Sequence, residues 1–187
     1  SAGRRALRNA ALTLLTTRET DDDFERVEAH YRKASNMTDA CHALFLIAGL
    51  DAPGREDILQ DFFQRWKDDH LVIDMWFAAQ AQSPRPIVLD EVKMLCRHPL
   101  FKITTPNNVR ALIGTFALGN PLQFNRADGA GYDFLADKVL EIDQFNPQVA
   151  ARMLGAFRSY RALEPGRKGL AKAALKRVAG ASISRDC

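Results

Sequence analysis

The 187-residue sequence predicts an all-α protein, a right-handed α-α superhelix of stacked antiparallel helix pairs of the armadillo or HEAT type. Three observations predict it. Apolar residues recur at three- and four-residue spacing along most of the chain, and over no useful length do they alternate as a strand requires. Short turns rich in proline and glycine, Asp51-Ala52-Pro53-Gly54 and Ser83-Pro84-Arg85-Pro86, stop one helix and start the next. Helix starts near residues 21, 38, 54, 70 and 86 lie about sixteen residues apart, so a helical hairpin takes roughly thirty. One such hairpin cannot bury its own apolar face, whereas stacked hairpins can.

The elements follow in order. A first helix over roughly Gly3 to Leu15 places Leu7, Ala10, Ala11, Leu14 and Leu15 on one face, expected to be its buried one. A second starts after a Thr20-Asp21-Asp22 cap and buries Phe24, Val27 and Tyr31. The third, from about Thr38 to Leu50, and the fifth, with Leu71, Val72, Ile73, Met75, Trp76 and Phe77, are apolar nearly all round and belong in the middle of a layer. Between them Ile58, Leu59, Phe62, Phe63 and Trp66 form a facing stripe, and Ile87, Val88, Val92 and Leu95 form another. Spacing makes Trp66 and Trp76 core residues.

After Phe101 the regularity loosens. Thr105-Pro106 starts a helix that buries Val109, Leu112, Ile113, Phe116 and Ala117, with Asn107, Arg110 and Gly114 on the opposite side. A loop from Gly119 to Gly131 carries Asn120-Pro121 and Asp128-Gly129-Ala130-Gly131, whose glycines permit positive φ and close backbone approach. Tyr132, Leu135, Ala136, Val139 and Leu140 line the next helix. Asn146-Pro147 caps another, which buries Val149, Met153, Phe157 and Tyr160, and a basic segment from Arg167 to Ala179 closes the chain.

Length fits one domain spanning residues 1–187, and 47% hydrophobic with 26% charged residues is the balance of a folded soluble protein. A formal charge of +3 gives too weak a field to name a polyanionic partner. Cys41, Cys96 and Cys187 are an odd set without paired spacing, and Cys41 and Cys96 sit in apolar runs, which suits reduced thiols in the cytoplasm. The longest apolar stretch, Ala43 to Leu50, is too short for a bilayer, and no charged leader precedes a hydrophobic run, so no membrane role is expected.

Catalytic signatures are missing from the sequence. A zinc peptidase needs two histidines one helical turn apart with a glutamate between them, and His30, His42, His70 and His98 are isolated. His42 reads as a core histidine with its hydrogen bonds satisfied, and Cys96-Arg97-His98 is too cramped for a metal pair. There is no nucleophile elbow, phosphate loop or dinucleotide fingerprint, and the Asp128 loop lacks the further oxygen ligands of a calcium site. Asn36-Met37-Thr38 reads as a helix cap rather than a glycosylation site. No catalytic residue, metal ligand or cofactor is therefore expected in this chain.

Three segments of the second half carry a resemblance. They are His98-Pro99-Leu100-Phe101 leading into Pro106-Asn107-Asn108-Val109-Arg110-Ala111-Leu112-Ile113-Gly114-Thr115-Phe116; Phe124 with Asp128-Gly129-Ala130-Gly131-Tyr132-Asp133-Phe134-Leu135-Ala136-Asp137; and Asn146-Pro147-Gln148-Val149-Ala150-Ala151-Arg152. With Asn36-Met37-Thr38-Asp39 and Leu71-Val72-Ile73-Asp74-Met75-Trp76-Phe77, they make nearly the whole chain resemble the C-terminal domain of the bacterial aminopeptidase N family of gluzincin zinc metallopeptidases. Thr105, Ala111 and Asn125 depart from its pattern, standing where asparagine, serine and histidine are expected.

The resemblance implies a non-catalytic helical domain that packs against an upstream catalytic domain of the same polypeptide, where the zinc and its ligands would lie. It also implies that the domain walls off an internal chamber and limits access to peptide substrates. Arg110, on the polar side with Asn107 and Gly114, would hold a substrate carboxylate or carbonyl, or else form an ion pair, Asp128 being one candidate partner. Asp128, Gly129, Gly131 and Tyr132 would touch the catalytic domain or form a purely structural turn. Lys168, Lys172 and Lys176, with Arg177 beside them, read as a solvated face without nucleic acid. The rival reading is a freestanding α-solenoid scaffold that binds a protein or RNA.

Overall fold

The structure is a computed structural model that describes residues 2–18 and 20–185; Cys187 lies outside the described residues. Every regular element among them is helical. The helices gather into two compact units, Ser1–Arg85 and Pro86–Cys187.

The first unit contains α1 (Ala2–Leu15), α2 (Asp21–Lys33), α3 (Met37–Gly49), α4 (Arg55–Trp66) and α5 (His70–Ala81). α3 is its hub and packs against the other four. That position follows from a helix apolar on nearly every side, with Ala43, Leu44, Ile47 and Ala48 fully enclosed. Caps fix the starts. Thr20 and Asp23 form a reciprocal capping box on α2, Asn36 accepts from the Asp39 N–H on α3, and Asp69 accepts from Leu71 and Val72 on α5. Asn36 is thus a cap, as its sequence context suggests. α4 turns Ile58, Leu59 and Phe62 inward, and the Trp76 indole N–H donates to the Leu59 carbonyl at 2.9 Å.

Four expectations change in this unit, the first being that Trp66 is half-buried rather than a core residue. α1 buries Asn9 and Leu12, while the Leu7, Ala10, Ala11, Leu14 and Leu15 stripe faces outward. α5 is not enclosed all round, because Leu71 and Met75 are exposed on it. His42 is half-buried rather than a core residue, and its Nε2 lies 3.0 Å from the Thr13 hydroxyl.

The second unit begins with α6 (Val88–Leu95) and continues with α7 (Pro106–Val109), a π-helical turn (Arg110–Gly114) and α8 (Thr115–Gly119). Then come α9 (Pro121–Phe124), α10 (Ala130–Asp143), α11 (Pro147–Leu154), two 3₁₀ turns (Gly155–Phe157 and Tyr160–Ala162) and α12 (Pro165–Ala179). α10 is central, packed on α9, α11 and α12. Phe116, Phe124, Tyr132 and Phe157 form a buried aromatic cluster, with Phe116–Phe124 and Phe124–Tyr132 edge-on at 6.2 and 5.2 Å between centroids. Small residues on α12, Ala171 and Ala174, lie buried on the face that meets α10. Lys168, Lys172 and Lys176 are exposed, whereas Arg177 is tied to Asp137 and to the Asp133 carbonyl.

Candidate functional site

The run from Pro106 to Gly119 positions the site. Thr105-Pro106 opens it, Pro106 taking the first helical position where a missing N–H costs nothing. Asn108 turns inward and accepts from the Lys102 N–H at 3.0 Å, which fastens the preceding loop. One turn later the helix widens. The Arg110 carbonyl accepts the N–H of Thr115, five residues on, and also the Thr115 hydroxyl at 3.3 Å. Such π turns hold one extra residue per turn and recur at functional positions.

The widened turn exposes Arg110, whose Nη1 donates to Asn107 Oδ1 at 2.8 Å. Gly114 is buried beneath Met153, which packs where a side chain would start. It still contributes surface to an open depression of about 390 Å³, whose rim and floor are Arg110, Gly114, Thr115, Leu118, Gly119, Arg152 and Met153. Arg152 comes from α11 and is exposed. A second depression of about 330 Å³ shares Leu118 and brings Phe124, Asn125 and Arg158. The arrangement is an apolar floor with guanidinium groups at its edges, suited to an extended ligand with an anionic group.

The Asp128 loop is separate from these depressions and is tied to Pro86 through Arg126. Both Asp128 carboxylate oxygens accept from Arg126 Nε, at 2.8 and 3.0 Å, and Oδ1 also accepts the Ala130 N–H. Those bonds, Arg126 first, hold the Asp128 carboxyl below its ordinary range. The ion pair considered for Arg110 is therefore not the one Asp128 makes. Gly129 adopts φ 75°, left-handed backbone that favours glycine. Tyr132 is buried, donates its hydroxyl to Asn125 Oδ1 at 3.0 Å, and is pushed up in pKa by burial. Asn125, one of the departures noted above, thus has a clear partner.

Of the seven candidate residues, the structure brings Arg110 and Gly114 into the depression with Asn107 bonded beside them; Asp128, Gly129, Gly131 and Tyr132 serve the loop and the core. Arg152 is the residue that sequence reasoning missed. Its signal was a lone cation, Arg152, at the end of the Asn146-to-Arg152 segment on an otherwise uncharged helix. Among the described residues no group of three His, Cys, Asp or Glu side chains could hold a metal ion. Nor, among the residues described, is any helix long and apolar enough to cross a membrane.

Comparison with known proteins decides the family. A family described as "Domain of unknown function (DUF3458_C) ARM repeats" matches residues 1–187. The chain belongs to this ARM-repeat family. Its relatives include the aminopeptidase N of Caulobacter vibrioides, 40% identical over 95% of this chain and 21% of that protein. The Haemophilus influenzae aminopeptidase N is 38% identical over 97% of this chain and 21% of its own length. The crystal structure of Legionella pneumophila aminopeptidase A in complex with aspartic acid superposes with a TM-score of 0.91 at 29% identity, covering 99% of this chain and 22% of that one. The chain thus spans about a fifth of the length of these relatives, and the ARM-repeat domain it forms is the C-terminal domain of aminopeptidase N-like proteins.

Proposed function

We propose that this domain forms a non-catalytic wall of the peptide chamber in a zinc-dependent aminopeptidase, gates access to it, and uses Arg110 and Arg152 to receive the carboxylate end of the peptide. The observation that carries the proposal is the exposed pair of arginines on one apolar-floored depression, in a domain whose relatives are named as aminopeptidases. The zinc and the catalytic groups belong, on this reading, to the remaining four-fifths of the polypeptide. A cytoplasmic setting suits Cys41 and Cys96, which are both free thiols.

The physical division of labour is plain. A wall of packed helices keeps its shape, so it excludes folded proteins and bulk water from the reacting bond without taking part in it. Guanidinium groups recognise a carboxylate through paired N–H donors, and that recognition adds binding energy far from the scissile bond. Because both arginines are solvated, each contributes about 0.7–1.4 kcal/mol, a three- to tenfold effect on binding.

The test uses the complete polypeptide. Arg110→Ala and Arg152→Ala should each raise KM for tripeptides with a free C-terminal carboxylate by about three- to tenfold, with little change for the same peptides amidated and for alanyl-arylamide. Equal effects on carboxylate and amide substrates would remove the recognition role. An Arg110→Ala, Arg152→Ala enzyme that cleaves unfolded proteins no faster than the parent leaves the wall in place; one that keeps all its peptide kinetics contradicts the proposal.

A further inference from the structure

The depression at Arg110 and Arg152 does not end at Leu118. Two runs of chain border it, residues 106–124 and 147–159, and both pass beyond it in the same direction. On the first, the lining goes from Arg110 and Thr115 to Leu118 and then Pro121. On the second, it goes from Arg152 and Met153 to Gly155 and Arg158. Leu118 belongs to both depressions, so the two are successive reaches of one furrow. Small residues keep the far reach open: Gly155 and Ala156 line it, and a Cβ on Gly155 would meet nothing within 4 Å.

Arg158 stands at that far reach. It is exposed, and its side chain makes no ion pair with a described residue. Among the described residues, the furrow is lined by guanidinium groups and by no carboxylate, a field that favours an anionic occupant along its whole length. From Arg152 the chain completes α11 and makes one 3₁₀ turn before Arg158. That path rises roughly 10 Å and brings Arg158 back to within about 60° of the side that Arg152 occupies. An extended peptide advances about 3.3 Å per residue, so the rise matches about three residues of peptide.

We propose that Arg158 is a length-determining residue, which receives the C-terminal carboxylate of peptides about three residues longer than those that end at Arg110 and Arg152. This rests on the reading of the arginine pair as a carboxylate site, and adds a second such site further along the same furrow.

The experiment uses the complete polypeptide with tripeptides and hexapeptides, each as the free acid and as the C-terminal amide. Arg158→Ala should raise KM for the hexapeptide acid by about three- to tenfold relative to the tripeptide acid, without a matching rise for the hexapeptide amide. Arg158→Lys keeps the charge but not the planar fork and should recover part of the loss. Gly155→Phe, whose side chain would start in open space, should narrow the furrow and raise KM for both hexapeptide forms relative to the tripeptides. Arg158→Ala effects as large on tripeptides as on hexapeptides, or as large on amides as on acids, overturn the proposal. So does an unchanged hexapeptide KM in Gly155→Phe. A silent Arg158→Ala in an enzyme whose Arg110→Ala and Arg152→Ala variants still lose tripeptide acids removes this site and leaves the arginine pair standing; if those two variants are silent as well, both readings fall.

Discussion

The α-carbon of Gly131 lies so close to the main chain of Phe124 that a Cβ there would stand 2.3 Å from the Phe124 carbonyl oxygen. Backbone cannot yield as a flexible side chain does, so Gly131→Ala should destabilise the domain by about 2–4 kcal/mol. Gly114 supplies the contrast. A Cβ there meets the Met153 thioether at an ordinary 3.5 Å, and alanine favours helix over glycine, so Gly114→Ala should lie within about 1 kcal/mol of the parent. Urea unfolding of the two variants, followed by circular dichroism, measures both.

Trp76 and Leu59 give a second prediction. The indole N–H of Trp76 donates to the Leu59 carbonyl at 2.9 Å, and both residues are buried. Trp76→Phe keeps most of the ring packing on Phe63 and Phe77 but leaves that carbonyl without its indole donor. The expected cost is about 1–3 kcal/mol, read as a lower urea midpoint with an unchanged slope.

The helical hairpins were legible because burial there follows local periodicity. α3 is apolar on nearly every side, and only a hub position satisfies such a helix. The capping side chains Thr20, Asn36 and Asn146 were legible for a similar reason, since each bonds within three residues of itself. α1 was misread because an amphipathic stripe says which residues seek cover and not which neighbour supplies it. The π turn from Arg110 to Gly114 was not legible, because the hydrogen bond that widens it reaches a carbonyl five residues back and leaves no mark in the apolar spacing. Arg152 joins Arg110 only through the packing of separate helices, a relationship that no local pattern encodes.

Asp23 predicts an acid-sensitive step. Burial pushes its carboxyl up in pKa, but the Thr20 main-chain N–H, Arg26, the Thr20 side chain and Arg18 together outweigh burial and bring it down to about 2. The folded value thus lies below the ordinary 3.8, so the carboxylate stabilises the fold above about pH 4 and loses that contribution as pH falls toward 2. Asp23→Asn should melt at a lower temperature at pH 7 and show a flatter decline from pH 4 to pH 2. Melting curves across that range test it, and parallel acid limbs for the two proteins would contradict the assignment.

Cys96 predicts a slow thiol. Burial raises its pKa to about 11; Lys138 pulls against that shift and Glu141 adds to it. The thiolate is the reactive form, and a pKa two units above the ordinary 9.0 leaves about a hundredth of the usual thiolate fraction at pH 8. Cys96 should therefore react with a disulfide reagent about 100-fold more slowly than an unhindered thiol, and its rate should keep rising with pH beyond 9. Replacing Glu141 by glutamine removes the nearby negative charge and should speed the reaction at fixed pH, whereas Lys138→Met should slow it further. Opposite signs in the two variants separate an electrostatic effect from mere steric cover, which would leave both rates unchanged.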